Sequence, residues 1–98
     1  MAQIAELKAQ AFSGARVEVN TEFDYRIRIL HRGESIFYQE GNRALICEFD
    51  PYAYLIVEKS IAKWDDEELV SKEDLIRIKE RLTRYFLVYQ DGQAVKFV

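Results

Sequence analysis

Polar and apolar positions alternate along much of this chain, with a period that switches between helical and extended. Residues 2–12 are good helix formers, and Ile4, Leu7 and Ala11 recur at i, i+3 and i+7. That spacing predicts an N-terminal helix with one narrow apolar stripe, and Gly14 is placed to end it in the left-handed conformation. From Ala15 the period becomes two. Arg16, Glu18 and Asn20 alternate with Val17 and Val19, then Glu22, Asp24, Arg26 and Arg28 with Phe23, Tyr25, Ile27 and Ile29. The alternation predicts a half-buried antiparallel strand whose outer face carries both signs of charge. Arg32-Gly33 makes a turn into a strand over 35–39, and Glu40-Gly41-Asn42 another into a strand over 44–49. Asp50-Pro51 then breaks the pattern. Residues 52–59, rich in aromatic and β-branched side chains, predict a further strand. Short turns make neighbours in sequence neighbours in the sheet, which is a meander.

The strongest helical pattern follows Ser71, whose side chain is placed to accept the backbone N–H of Asp74, with Glu73 and Asp74 at the positive end of the dipole. Leu75, Ile78, Leu82 and Tyr85 form its apolar stripe, widened by Ile76 and Phe86. Glu73 with Arg77, and Glu80 with Arg84, are i, i+4 pairs in the favourable order. Beyond Leu82 two readings are open. Asp91-Gly92 between Leu87–Gln90 and Ala94–Val98 resembles a hairpin turn. The stripe also runs on through Tyr89, with Gly92 as terminator, and this reading is preferred. The fold class is therefore α+β. An N-terminal helix, an antiparallel meander of four to five strands, a long amphipathic helix on one sheet face and a short C-terminal strand follow in order. The helices are expected on one face of the sheet, leaving the other to water or to another molecule.

Length and composition narrow this picture. The 98 residues, 49% apolar and 32% charged with a net charge of -3, suit one domain over 1–98 and exclude disorder. No stretch approaches the roughly 20 apolar residues of a membrane span. The start lacks a basic segment followed by an apolar run, so a cytoplasmic location is expected. Cys47 and His31 are the single residues of their types, so the chain holds no internal disulfide or Cys/His zinc set. Cys47 lies in an apolar stretch and is expected to be buried and inert. Four scattered glycines form no phosphate loop, and no serine sits in a nucleophile elbow. No catalytic residue, metal or cofactor is expected, and the chain is expected not to be an enzyme. Six tyrosines against one methionine fit a contact surface as well as ordinary sheet positions.

Three segments between Tyr38 and Leu82 carry a resemblance. They are the glycine turn into a strand (residues 38–49), the strand ending in Ile61-x-x-Trp64 with Asp65 after it, and the Ser71-x-Glu73 start of an amphipathic helix. Together they are similar to the immunity protein 74 family, small α+β proteins of bacterial polymorphic toxin systems. Asp66-Glu67-Glu68 stands where that pattern has proline and glycine, and the N-terminal helix lies outside it. The resemblance implies a protein that binds a cognate toxin and blocks it. An acidic surface suits a basic nuclease cleft by steering, and Trp64 beside Asp65, Asp66, Glu67 and Glu68 has the composition of an anchor rimmed by charge. Tyr52 and Tyr54 are further candidate contacts. Against this, a Trp at a strand end commonly packs into its own core, and acids before a helix are commonly solvated. Two other readings remain. One is a homodimeric scaffold or regulator paired through an open sheet face or edge. The other is a single-strand nucleic-acid module using Arg26, Arg28, Arg32 and Arg43, which the acidic balance (pI about 5.2) disfavours.

Overall fold

The computed structural model describes residues 2–10, 17–30, 34–89, 92 and 94–98. Ala11 of the expected helical stripe, the expected terminator Gly14, the turn residues Arg32, Gly33 and Asp91, and the single histidine, His31, lie outside the described residues. The order of elements is α1 (Ala2–Ala9), β1 (Val17–Asn20), β2 (Tyr25–Leu30), β3 (Ser35–Glu40), β4 (Arg43–Asp50), β5 (Leu55–Ile56), a 3₁₀ turn (Glu58–Ser60), α2 (Lys72–Tyr89) and β6 (Lys96–Phe97). The strands lie in the sheet in sequence order and pair antiparallel, except that β6 runs parallel to β5. A parallel pair needs a crossover, and α2 supplies it. The α+β architecture, the meander, the helix to Tyr89 and the final strand are therefore as the periodicity predicts.

The alternating run over 15–29 is two strands rather than one. Asn20 Oδ1 accepts the Phe23 N–H at 2.9 Å and Asp24 takes a positive φ of 54°, so the chain reverses over residues 21–24. Reversal also sets which side chains share a face. Glu18 stands opposite Ile27 and is buried at 2% exposure, while Val19, expected inside, is 52% exposed. The Gly41-Asn42 turn joins Glu40 to the Arg43 opposite it, with Gly41 at φ 56° as the first central residue of a two-residue hairpin. The strand expected over 52–59 shrinks to two residues. Asp50 Oδ1 accepts the backbone N–H groups of Tyr52 and Ala53 at 2.9 and 3.2 Å, and Tyr54 adopts φ 54°, so this stretch turns before it can pair.

The helices sit on opposite faces, not on one. Ile78, Leu82, Tyr85 and Phe86 of α2 pack with Tyr25, Ile27, Ile36, Tyr38, Leu45, Cys47, Phe49 and Ile56. On the other face Leu7 of α1 packs with Leu30, Phe37 and Ala44. The end of α1 is capped by an arginine from the sheet. The Arg26 guanidinium donates to the carbonyls of Leu7 (3.0 Å), Lys8 (2.8 Å) and Gln10 (2.6 Å), the negative end of the helix dipole. At the start of α2, Ser71 Oγ accepts the Asp74 N–H at 3.0 Å and Asp74 Oδ2 accepts the Ser71 N–H at 3.3 Å, a reciprocal cap. Ile76 does not widen the buried stripe; it is 60% exposed. In place of the i, i+4 pairs, Arg77 bonds Glu40 and Asp74, and Arg84 bonds Glu18. Leu82 is fully buried between helix and sheet, whereas Leu69 is 70% exposed. Leu82→Ala should lower unfolding free energy by about 3 kcal/mol, and Leu69→Ala should stay within about 0.5 kcal/mol, as read from urea denaturation.

Candidate functional site

The segment between the 3₁₀ turn and α2 holds Trp64 and the acids that follow it, and its geometry follows from an incomplete sheet edge. β5 covers only Phe49 and Asp50 of β4. Earlier groups on that edge are met by the connection itself. Ser60 Oγ accepts the Glu48 N–H at 2.9 Å, and Asp65 pairs with Ala44 twice. The Asp65 N–H donates to the Ala44 carbonyl at 2.9 Å, and the Ala44 N–H donates to Asp65 Oδ1 at 3.0 Å. Asp65 Oδ2 also accepts Lys8 Nζ of α1 at 2.7 Å. Trp64 is buried at 2% exposure beside Tyr38, with Arg43 lying 4.5 Å above its ring. Its indole N–H donates to Asp74 at 3.4 Å. Trp64 is thus packed into the core of its own chain, not presented as an exposed anchor.

The acids after it divide. Asp66 Oδ1 accepts the Glu68 N–H at 3.0 Å, Glu67 takes φ 72°, and the Trp64 N–H donates to the Glu68 carbonyl at 2.9 Å, which closes a tight turn. Asp66 lies 3.7 Å from Arg43 and Glu67 3.7 Å from Lys63, and all of Asp66, Glu67 and Glu68 are exposed. Tyr52 is 98% exposed, while Tyr54 is half-buried, edge-on to Phe49 and Phe86. The structure therefore does not bring the tyrosines and Trp64 onto one surface. Nor do Arg26, Arg28 and Arg43 of the nucleic-acid reading share a groove; Arg32 lies outside the described residues. Arg26 and Arg28 bond α1 and Gln10 on one face, and Arg43 lies on the other.

A second locus lies between the β1–β2 hairpin and α2, and periodicity concealed it by placing Glu18 outside. Glu18 is buried, and its Oε2 accepts the Tyr25 hydroxyl at 3.1 Å and Arg84. Its Oε1 has no hydrogen-bond partner. Alongside, Arg77 makes two bonds to Glu40 (2.7 and 3.0 Å) and one to Asp74 (2.7 Å). Arg81 donates to the Tyr38 hydroxyl at 2.8 Å and lies 4.3 Å from the Tyr25 ring centre. Burial pushes the Tyr38 hydroxyl up to about 12 and raises that of Tyr25. Above this network opens a groove of about 490 Å³, with Glu22, Phe23 and Glu80 among its walls. A second groove of about 490 Å³ lies across α2, lined by Thr83, Leu87, Val88 and Phe97, and the two share Glu80 and Arg84. The spacing of Glu80, Arg84 and Leu87 on α2 was readable in sequence, but not the hairpin beside them.

Cys47 is buried in the core, and burial pushes its thiol up to about 12, so it is no thiolate at neutral pH. Among the described residues no group of three or more His, Cys, Asp or Glu is placed to hold a metal ion, and no helix is long and apolar enough to cross a membrane. Compared with family models, curated proteins and solved structures, the chain matches none.

Desolvation raises the Asp65 carboxyl, but the bonds from Lys8 and the Ala44 N–H outweigh it and hold the group below its ordinary 3.8. The same balance, with Arg77 and the Ser71 N–H, lowers Asp74. A depressed carboxylate contributes stability that is present above the unfolded value and lost as pH falls through the folded one. Asp65→Asn should therefore cost about 2 kcal/mol at pH 6. The gap to the parent chain should narrow as pH falls below about 4, as read from urea midpoints at pH 6 and pH 3.

Proposed function

We propose that this chain is an immunity protein, a protein-binding domain that occupies a cognate bacterial toxin domain and neutralises it. The resemblance over residues 38–82 supports the reading. The observation that carries it is the outward face of α2 with its two adjoining grooves. Phe23 is 61% exposed there, and Leu87 and Val88 are 50% and 56% exposed. Arg77, Arg81 and Arg84 stand among them, each held in one geometry by a carboxylate or hydroxyl behind it. Aromatic and arginine side chains on a rigid element are the composition of interface hot spots. The contact surface thus moves from Trp64, which packs the core, to α2 and the β1–β2 hairpin. Exposed Glu67 and Glu68 remain outside it and contribute to long-range steering of a basic partner.

The test is capture of the tagged chain from its native cell after nuclease treatment, followed by expression of the captured partner. One stoichiometric protein is expected that arrests growth when expressed alone and is tolerated when this chain accompanies it. Phe23→Ala together with Leu87→Ala should weaken that complex by about tenfold or more. A partner harmless by itself, or partners that vanish with nuclease, would show the reading to be wrong.

A further inference from the structure

We infer that the groove between the β1–β2 hairpin and α2 takes a cationic side chain, arginine or lysine, from a basic surface of the partner protein. The inference rests on the toxin-binding reading and names the chemistry of that contact. Three arginines in the walls would at first point to an anion, but their charge is already met from behind. Arg77 faces Glu40 and Asp74, Arg81 lies 3.6 Å from Glu40, and Arg84 bonds Glu18. These three carboxylates balance the three arginines. The walls then add Glu22 and Glu80, both exposed and without an ion pair among the described residues. The locus therefore carries two uncompensated negative charges.

An incoming anion meets Glu22 and Glu80 in the walls, and the arginines it could reach already carry Glu18, Glu40 and Asp74 as counter-charges. An incoming guanidinium or ammonium meets a wall whose balance is negative. Glu22 and Glu80 are free to accept its N–H groups, a guanidinium bidentately. The exposed Phe23 ring lines the same groove, and an aromatic ring attracts a cation. The apolar groove across α2 continues the contact through Leu87, Val88 and Phe97. Net charge -3 favours approach of a basic partner from a distance.

The probes are acetyl-arginine amide and acetyl-glutamate amide, titrated at low salt into the ¹⁵N-labelled chain. Saturable amide shifts confined to residues 20–25 and 77–84 are expected with the arginine probe and absent with the glutamate probe. The double variant E22Q/E80Q should weaken the arginine probe about tenfold, and added salt should do the same. E73Q, on α2 but outside the groove, should leave binding unchanged, and the spectra themselves report that each variant is folded. Equal response to the glutamate probe, no localised shift, or full binding by E22Q/E80Q would overturn the inference. The captured toxin separates this from the functional reading. If E22Q/E80Q binds and neutralises it as the parent does, the inference fails and the immunity reading stands. If the arginine probe binds as expected but no toxin is captured, the cation site stands and the immunity reading fails.

Discussion

The carboxylate of Asp65 ties together three parts of the fold that share no covalent proximity. One oxygen takes the Ala44 N–H of β4, and the other takes Lys8 of α1. The adjacent Trp64 fills the core under Arg43 and reaches the first turn of α2 through Asp74. Both helices are therefore positioned against the sheet by two consecutive residues. The constraint arises because β5 is too short to cover β4, and buried backbone groups on that edge have to be satisfied by something. The connection satisfies them with a serine hydroxyl, a backbone amide and a carboxylate. Acids that looked like a charged contact surface are in part the means by which the edge is closed.

With α2 fixed in this way, its arginines face strands β1 to β3 and not solvent alone. Glu18, Glu40 and Asp74 neutralise them from within, and Tyr25 and Tyr38 complete the network through their hydroxyls. A carboxylate as deeply buried as Glu18 requires a counter-charge, so β1 and α2 are held by a pair that neither could lose alone. The consequence for the surface is an inversion of sign. Arginines committed inward leave the exposed Glu22 and Glu80 to set the charge of the groove.

The same arrangement explains why the apolar side chains near the end of α2 stay exposed. The helix turns Ile78, Leu82, Tyr85 and Phe86 into the sheet, which is as wide a stripe as one face can bury. Leu87 and Val88 fall on the far side, and β6, only two residues long, covers one flank with Phe97. Two open grooves sharing Glu80 and Arg84 result from one helix seated between a hairpin and a short edge strand. A binding role drawn from this surface depends on that seating and not on any single side chain.

Local pattern by itself determined the α+β class, the meander, the Gly41 turn and the Ser71 cap, and it favoured the helix running to Tyr89 over a hairpin. Each depends on residues close in sequence: alternation, a glycine with positive φ, a reciprocal cap and a continuous stripe. Other features were settled only by tertiary structure. Glu18 faces inward because a four-residue turn resets the alternation before β2, and a buried carboxylate becomes tolerable only once Arg84 arrives from 66 residues away. Trp64 is core and Arg26 is a helix cap because of partners 10 or more residues distant. The candidate site was illegible for the same reason. Its walls come from the β1–β2 hairpin and from α2, and its charge depends on which carboxylates the folded chain sets behind the arginines.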